Sequence, residues 1–131
     1  IYLGDSMKYK KALITGSSGF LGSHLSDILY ENGFQVNLFD SKTSKYKNEN
    51  QIEYTGSIMN EDHINEAISG CDIVFHFAAQ ADIDKSLHSP TQTIKTNIIG
   101  TQNLLEAARK HNIKRFVFAS TIYVYSDLGG F

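Results

Sequence analysis

Apolar and polar positions alternate along this chain between short buried runs and helical stripes. Ala12-Leu13-Ile14 forms the apolar heart of a strand over Lys11–Thr15. Leu21, Leu25, Ile28 and Leu29 then recur at helical spacing, which predicts a helix over 19–32 with those residues on its buried face and Gly33 closing it at the C′ position. Phe34-Gln35-Val36-Asn37-Leu38-Phe39 largely alternates and reads as a second strand ending in Asp40. The polar Ser, Lys and Asn of 41–50 predict a mobile loop, and Gln51–Thr55 a short third strand. Asn60 is a good cap for a short helix marked by Ile64, Ala67 and Ile68 and stopped at Gly70. The nearly continuous apolar run 72–79 suits a central parallel strand covered on both faces. Pro90 opens a long helix to about residue 111, with Ile94, Ile98, Leu104, Leu105 and Ala108 as its inner stripe and a loop before it. Arg109-Lys110-His111 suits the negative end of that helix. A last strand covers 115–120.

Read as βαβαβαβαβ, this order predicts an α/β fold, a doubly wound parallel sheet in three α/β/α layers, because right-handed crossovers leave few other arrangements. The strand ends carrying Gly16, Asp40, Ala78 and Ser120 then share one edge, where ligands of such sheets bind.

The chemistry concentrates at the first turn. Gly16-x-x-Gly19-x-x-Gly22 follows a buried strand and opens a helix. One glycine allows the sharp turn, one lets a diphosphate approach the backbone, and one lets the helix pack closely. The free N–H groups and the positive helix end would face the anion. The bland alternative is a glycine-rich turn with no ligand. Asp40 can accept hydrogen bonds from adenosine ribose hydroxyls and would repel a 2′-phosphate, which favours NAD over NADP. Lys42, just after Ser41, could still welcome a phosphate, and a strand-end turn acid is the plain alternative for Asp40. Small Ala78 and Ala79 let a flat cofactor lie against the backbone. His76 reads as a core histidine rather than a base. Asn97 reads either as a brace for the loop at the strand ends or as a solvent-facing polar residue.

Composition narrows the classes. The 131 residues bound one domain, 41% of them hydrophobic, and the net charge of −2 gives no basic footprint for nucleic acid. No apolar run approaches the roughly 18 residues of a membrane span. The single cysteine, Cys71, excludes an internal disulfide framework and fits a reducing, cytoplasmic setting; it reads as structural rather than nucleophilic. Residues 1–6 precede Met7 and are expected to be a tag remnant or disordered leader, with no signal-peptide pattern. The domain is expected to occupy 7–131.

Thr15-Gly16-Ser17-Ser18-Gly19-Phe20-Leu21-Gly22-Ser23-His24 resembles the cofactor fingerprint of the extended short-chain dehydrogenase/reductases. His76-Phe77-Ala78-Ala79-Gln80, Ser86 and Pro90, the run from Asn97 to Arg109, and Phe116-Val117-Phe118-Ala119-Ser120-Thr121 match it in order and spacing. The likeness spans 11–125 and is greatest to the NAD-dependent nucleotide-sugar epimerase/dehydratase group, UDP-glucose 4-epimerases in particular. It implies a Rossmann domain whose tightly bound NAD takes a hydride from sugar C4 and returns it to the other face. It implies cofactor contacts from Gly16, Ser18, Gly19, Phe20, Leu21, Gly22, Asp40, Ser41, Ser57, Ile58, Phe77, Ala78, Ala79, Gln80, Asn97 and Ala119. Thr121 falls at the catalytic Ser/Thr position, and no metal is implied. A nucleotide sugar is the implied substrate, and a homodimer is implied for the full-length protein through helices around 90–111.

Three departures matter. No tyrosine here has a lysine four residues later, so the family's Tyr-x-x-x-Lys pair is absent. The chain is expected to be cut before that pair and before the substrate-binding part, to bind cofactor, and to catalyse nothing by itself. Ser57 stands where an adenine-contacting aspartate is usual. Ile122 and Tyr123 replace the acid/base pair of 4,6-dehydratases; isoleucine moves no proton and tyrosine titrates near 10. Epimerase therefore ranks above dehydratase. A reductase or decarboxylase of the family, and a non-catalytic dinucleotide-binding module, are the rival readings.

Overall fold

The computed structural model describes residues 9–45 and 47–121. The expected leader, Ile122, Tyr123 and the closing Gly129-Gly130-Phe131 lie outside the described residues.

Five parallel strands form one sheet in the order β3-β2-β1-β4-β5. They are β1 (Lys11–Thr15), β2 (Gln35–Asp40), β3 (Gln51–Thr55), β4 (Ile73–His76) and β5 (Arg115–Phe118). Strand order reverses between β1 and β4, which pair through Ala12↔Ile73 to Thr15↔His76. Helix α1 (Phe20–Glu31) covers one face, where Leu29 packs with Ala12, Ile14, Val36, Leu38, Ile73 and Phe75. Helices α2 (Glu61–Ile68) and α5 (Thr101–Lys110) cover the other, placing Ile64, Ala67, Ile68, Leu104, Ala107 and Ala108 on Leu13, Phe39 and Val74. The three-layer, doubly wound arrangement expected from the sequence is therefore the observed one.

Helix α1 ends as expected. Gly33 (φ 81°) donates to the Tyr30 carbonyl at 2.9 Å and Phe34 to the Leu29 carbonyl at 3.0 Å, the two bonds of a Schellman motif. Asn60 caps α2 by accepting from the N–H groups of Asp62 (2.9 Å) and His63 (3.2 Å).

Several expectations are corrected. Among the described residues no helix joins β2 to β3; the stretch 41–50 is the loop expected, and it is the strict β–α alternation that breaks there. Strand β2 does not alternate. It lies between two neighbours under helices on both faces, and Val36 through Phe39 are all buried. On α1 the buried positions are Gly22, Ser26 and Leu29, whereas Leu21 and Ile28 are exposed, because Gly22 lets the helix lie close along a narrow stripe. The stretch before Pro90 contains helix α3 (Ile83–His88), capped by Asp82, whose side chain accepts from Lys85 N–H at 3.0 Å. The long helix is three segments: α4 (Pro90–Ile94), a π-helical turn (Lys95–Gly100) and α5. Of these segments, α5 supplies the residues of the core cluster. Ile94, Ile98 and Leu105 are exposed, because α4 packs chiefly on α3 and the π turn, and the wider turn shifts the stripe. Strands β4 and β5 stop at His76 and Phe118, short of the expected 79 and 120.

Candidate functional site

At the carboxyl end of β1, beside the exit of β4, the chain turns sharply. Gly16 has φ 70°, and its N–H donates to the Phe39 carbonyl at 2.9 Å. A Cβ there would stand 2.7 Å from the Ala78 nitrogen, so the turn and the exit of β4 touch backbone to backbone. At Gly22 a Cβ would run into the Gly16 carbonyl and Ser17 Cα, so this glycine seats α1 on the turn itself. Gly19 differs: its Cβ would meet only the Gly16 oxygen, at 3.2 Å, with open space otherwise.

Helix α1 starts at Gly19 with no capping side chain and no acid in its first turn. Helix α2, by contrast, is capped by Asn60 and carries Glu61 and Asp62 in its first turn. The first N–H groups of a helix have no partner within it, and the positive end of the dipole adds to them. In α2 the protein satisfies these groups itself. In α1 it leaves them facing the glycine turn, a cradle suited to an anion such as a diphosphate.

Asp40 lies at the tip of β2 beside that cradle. One carboxylate oxygen accepts from Ser18 N–H (3.0 Å), the other from Ser41 hydroxyl (3.3 Å) and Lys42 N–H (3.2 Å). Ser18 hydroxyl also donates to the Lys42 carbonyl at 2.9 Å. The acid is thus oriented from both sides, with three of its roughly four acceptor positions taken.

A groove of about 500 Å³ runs along this edge. Gly16 and Gly19 line its turn side, Asp40 and Ser41 its β2 side, and Gly56 through Met59 its β3 side; Phe77, Ala78 and Ala79 form the wall after β4. Ile58 offers backbone only, since its side chain is buried against Gly100 and Asn103 donates to its carbonyl at 3.2 Å. Ser57 hydroxyl accepts from Met59 N–H at 3.1 Å and shapes that end of the groove. Asn97 grips the loop after β4: its Oδ1 accepts from Gln80 N–H at 2.7 Å and its Nδ2 donates to the Gln80 carbonyl at 3.1 Å.

The remaining expected residues sit around this groove rather than in it. Phe20 and Leu21, both exposed, project from the first turn of α1, with Phe20 stacked on His24 at 4.5 Å. Ala119 is exposed past β5 and donates its N–H to the His76 carbonyl at 3.2 Å. Thr121 is exposed at the last described position on the same rim. Sequence reasoning missed Phe39, Gly56, Met59, Ala81, Gln92 and Thr96 in the lining. Nothing in their types marks them; folding alone brings α4 and the β3 exit together.

Two residues weighed as chemistry are structural here. Burial pushes the Cys71 thiol up to about 11, and Sγ faces the Ala67 carbonyl, so it is no thiolate at neutral pH. His76 is 2% exposed, and burial pushes its imidazole down to about 4. Its Nδ1 stands 2.7 Å from Thr15 hydroxyl and its Nε2 2.9 Å from Thr101 hydroxyl.

Known proteins share this arrangement. The family model described as NAD dependent epimerase/dehydratase family matches residues 12–130. A UDP-N-acetyl-alpha-D-glucosaminuronate decarboxylase of Bacillus cytotoxicus is 37% identical over 123 residues, covering 88% of this chain and 38% of the relative. The structure of the Thermotoga maritima UDP-glucose 4-epimerase with UDP-glucose superposes with a TM-score of 0.78 at 40% identity, covering 85% of this chain and 38% of that one. The Thermus thermophilus UDP-glucose 4-epimerase in complex with NAD gives a TM-score of 0.78 at 31% identity, over 85% and 37%. The chain thus spans well under half the length of the relatives it matches.

Proposed function

This chain belongs to the NAD dependent epimerase/dehydratase family, and on that premise we propose that it is the NAD-binding portion of a nucleotide-sugar 4-epimerase, a cytoplasmic isomerase. The observation that carries the cofactor reading is the uncapped, acid-free start of α1 over the open Gly19, beside an oriented Asp40. The N–H groups of the α1 turn would hold the diphosphate, Asp40 the adenosine ribose, and Ser57 with the backbone of Ile58 the adenine. Ala78 to Gln80 would carry the nicotinamide end. When bound, NAD supplies a reversible hydride acceptor for the sugar C4. Thr121 hydroxyl donates to the sugar oxygen as charge develops there. The full-length protein supplies the Tyr-x-x-x-Lys base and the sugar pocket, and it dimerises through the face around α4 and α5.

Titrating NAD into the protein by calorimetry tests this. Gly19→Val should abolish binding and leave the circular dichroism spectrum intact, because the new side chain fills diphosphate space while meeting little of the protein. Unchanged affinity would refute the placement. The decarboxylase relative favours one rival. Carbon dioxide release from a UDP-uronate by the full-length protein, without interconversion of UDP-glucose and UDP-galactose, would select it.

A further inference from the structure

The wall after β4 is held by side-chain hydrogen bonds that cofactor contact does not explain. Thr101 hydroxyl lies 2.8 Å from the Asn97 carbonyl and 2.9 Å from His76 Nε2. Thr15 hydroxyl lies 2.7 Å from His76 Nδ1 and 3.3 Å from Ala78 N–H. Asn97, in the π turn, holds both backbone groups of Gln80.

Counting protons gives these bonds one direction. A carbonyl only accepts, so Thr101 gives its single proton to Asn97. Thr101 must then accept from His76, and Nε2 carries the ring proton. In a neutral ring Nδ1 is bare, and it accepts the Thr15 proton. The Thr15 oxygen is left to accept from Ala78 N–H. Each group is satisfied in one order only, from the Ala78 amide on the groove wall to the carbonyl of Asn97, whose side chain holds Gln80 just beyond that wall. The imidazole is buried, 2% exposed, and meets Phe116 edge-on and Phe118 at a tilt, with ring centroids 5.9 and 5.7 Å away. This wall touches the Gly16 turn with no room for a Cβ between them, so Ala78 cannot shift toward the turn and its position fixes the edge of the groove.

We propose that Thr15, His76 and Thr101 are positioning residues for the dinucleotide, a one-directional hydrogen-bond chain that closes on Asn97 and fixes the Ala78–Gln80 backbone. None of the three need touch the ligand. The proposal rests on the dinucleotide reading above.

Nitrogen NMR of the unsubstituted protein at neutral pH should show His76 with its proton on Nε2. Thr101→Val should speed exchange of the Gln80 amide about tenfold, as expected when a buried partner is left unsatisfied, while the Val74 amide in mid-β4 keeps its rate. NAD affinity should fall by about the same factor, and Thr101→Ser should restore both readings to within about twofold. A proton on Nδ1, an unchanged Gln80 rate, or equal acceleration of Gln80 and Val74 would each overturn the chain. NAD affinity untouched by Thr101→Val overturns the positioning role alone. Failure of the unsubstituted protein to bind NAD overturns the dinucleotide reading and the role with it.

Discussion

At the scale of single residues, the site separates groups whose purpose is local from groups whose purpose appears only on folding. Asp40 is of the first kind. A carboxylate held by Ser18 and Lys42 N–H groups is fixed in orientation, and on the proposed reading its charge would oppose a 2′-phosphate. Asp40→Ala should therefore weaken NAD about tenfold, the scale of hydrogen bonds to a charged group, and NADP less. Calorimetry with both cofactors checks this, and a larger loss for NADP would sink the ribose assignment. The glycines, Asp40 and Asn97 were legible in the sequence because turn geometry, a strand-end acid and a mid-helix amide each demand a reason where they stand. Thr15 and Thr101 were not, since a threonine at a strand end or in a helix is ordinary until His76 is seen between them. The one trace was the pair Asn97 and Thr101, four apart on one helix, at the spacing that lets a hydroxyl reach back to a carbonyl. His76 also ties the site to pH. Its folded-state value lies near 4, below the ordinary 6.5, so between those values the unfolded chain binds more protons and stability rises with pH. The full contribution is present above about 6.5, and on the order of 3 kcal/mol is lost as pH falls to about 4. Urea unfolding at pH 7 and pH 4.5 should show this slope, and His76→Gln should flatten it. An equal slope in the variant would mean other groups carry the acid sensitivity.

Among the elements, those with a buried stripe or a chemical terminus could be read from sequence, and those without could not. Helix α2 shows both signals: Ile64, Ala67 and Ile68 face the core, and Asn60 closes the first turn. Asn60→Ala should cost about 1 kcal/mol, and Asn60→Asp should cost almost nothing because it keeps the acceptor. Thermal melts of the two variants decide it; equal losses would mean that packing, not the cap, fixes the start of α2. Helix α3 carries no buried residue, so periodicity had nothing to detect, although Asp82 three residues before Lys85 was a usable cap signal. The π turn is invisible to a search at helical spacing. It inserts an extra residue in the turn, which is why a stripe drawn straight from Ile94 to Ala108 follows the core only at its far end. The same turn carries Asn97 to Gln80, so the irregularity that defeated the pattern is the feature that serves the site.

On the scale of the molecule, the sheet is covered unevenly. Beyond Leu104, Ala107 and Ala108, the helical run from α3 to α5 leaves Ile83, Leu87, Ile94, Ile98, Ile99 and Leu105 at the surface, Ile98 at 60% exposure and Leu87 at 74%. Single exposed apolar residues are normal on a protein, but six on one helical run suggest a surface that something covers. The sheet is not the cover, because α4 packs chiefly on its helical neighbours. The dimer proposed for the full-length protein would cover it with a second copy. Burying one isoleucine removes about 1.5 to 3 kcal/mol of exposed apolar cost, so charges at two of these positions should oppose association by several orders of magnitude in the dimer constant. Analytical ultracentrifugation of the full-length protein should show a dimer, and Ile94→Glu with Ile98→Glu should yield a monomer with an unaltered circular dichroism spectrum and retained NAD binding. Retention of NAD binding is part of the expectation because both side chains point away from the sheet and are more than half exposed already. A doubly substituted protein that remains dimeric would place the interface elsewhere. One that unfolds would mean the stripe is covered within the chain's own continuation, and the dimer assignment would fall with it.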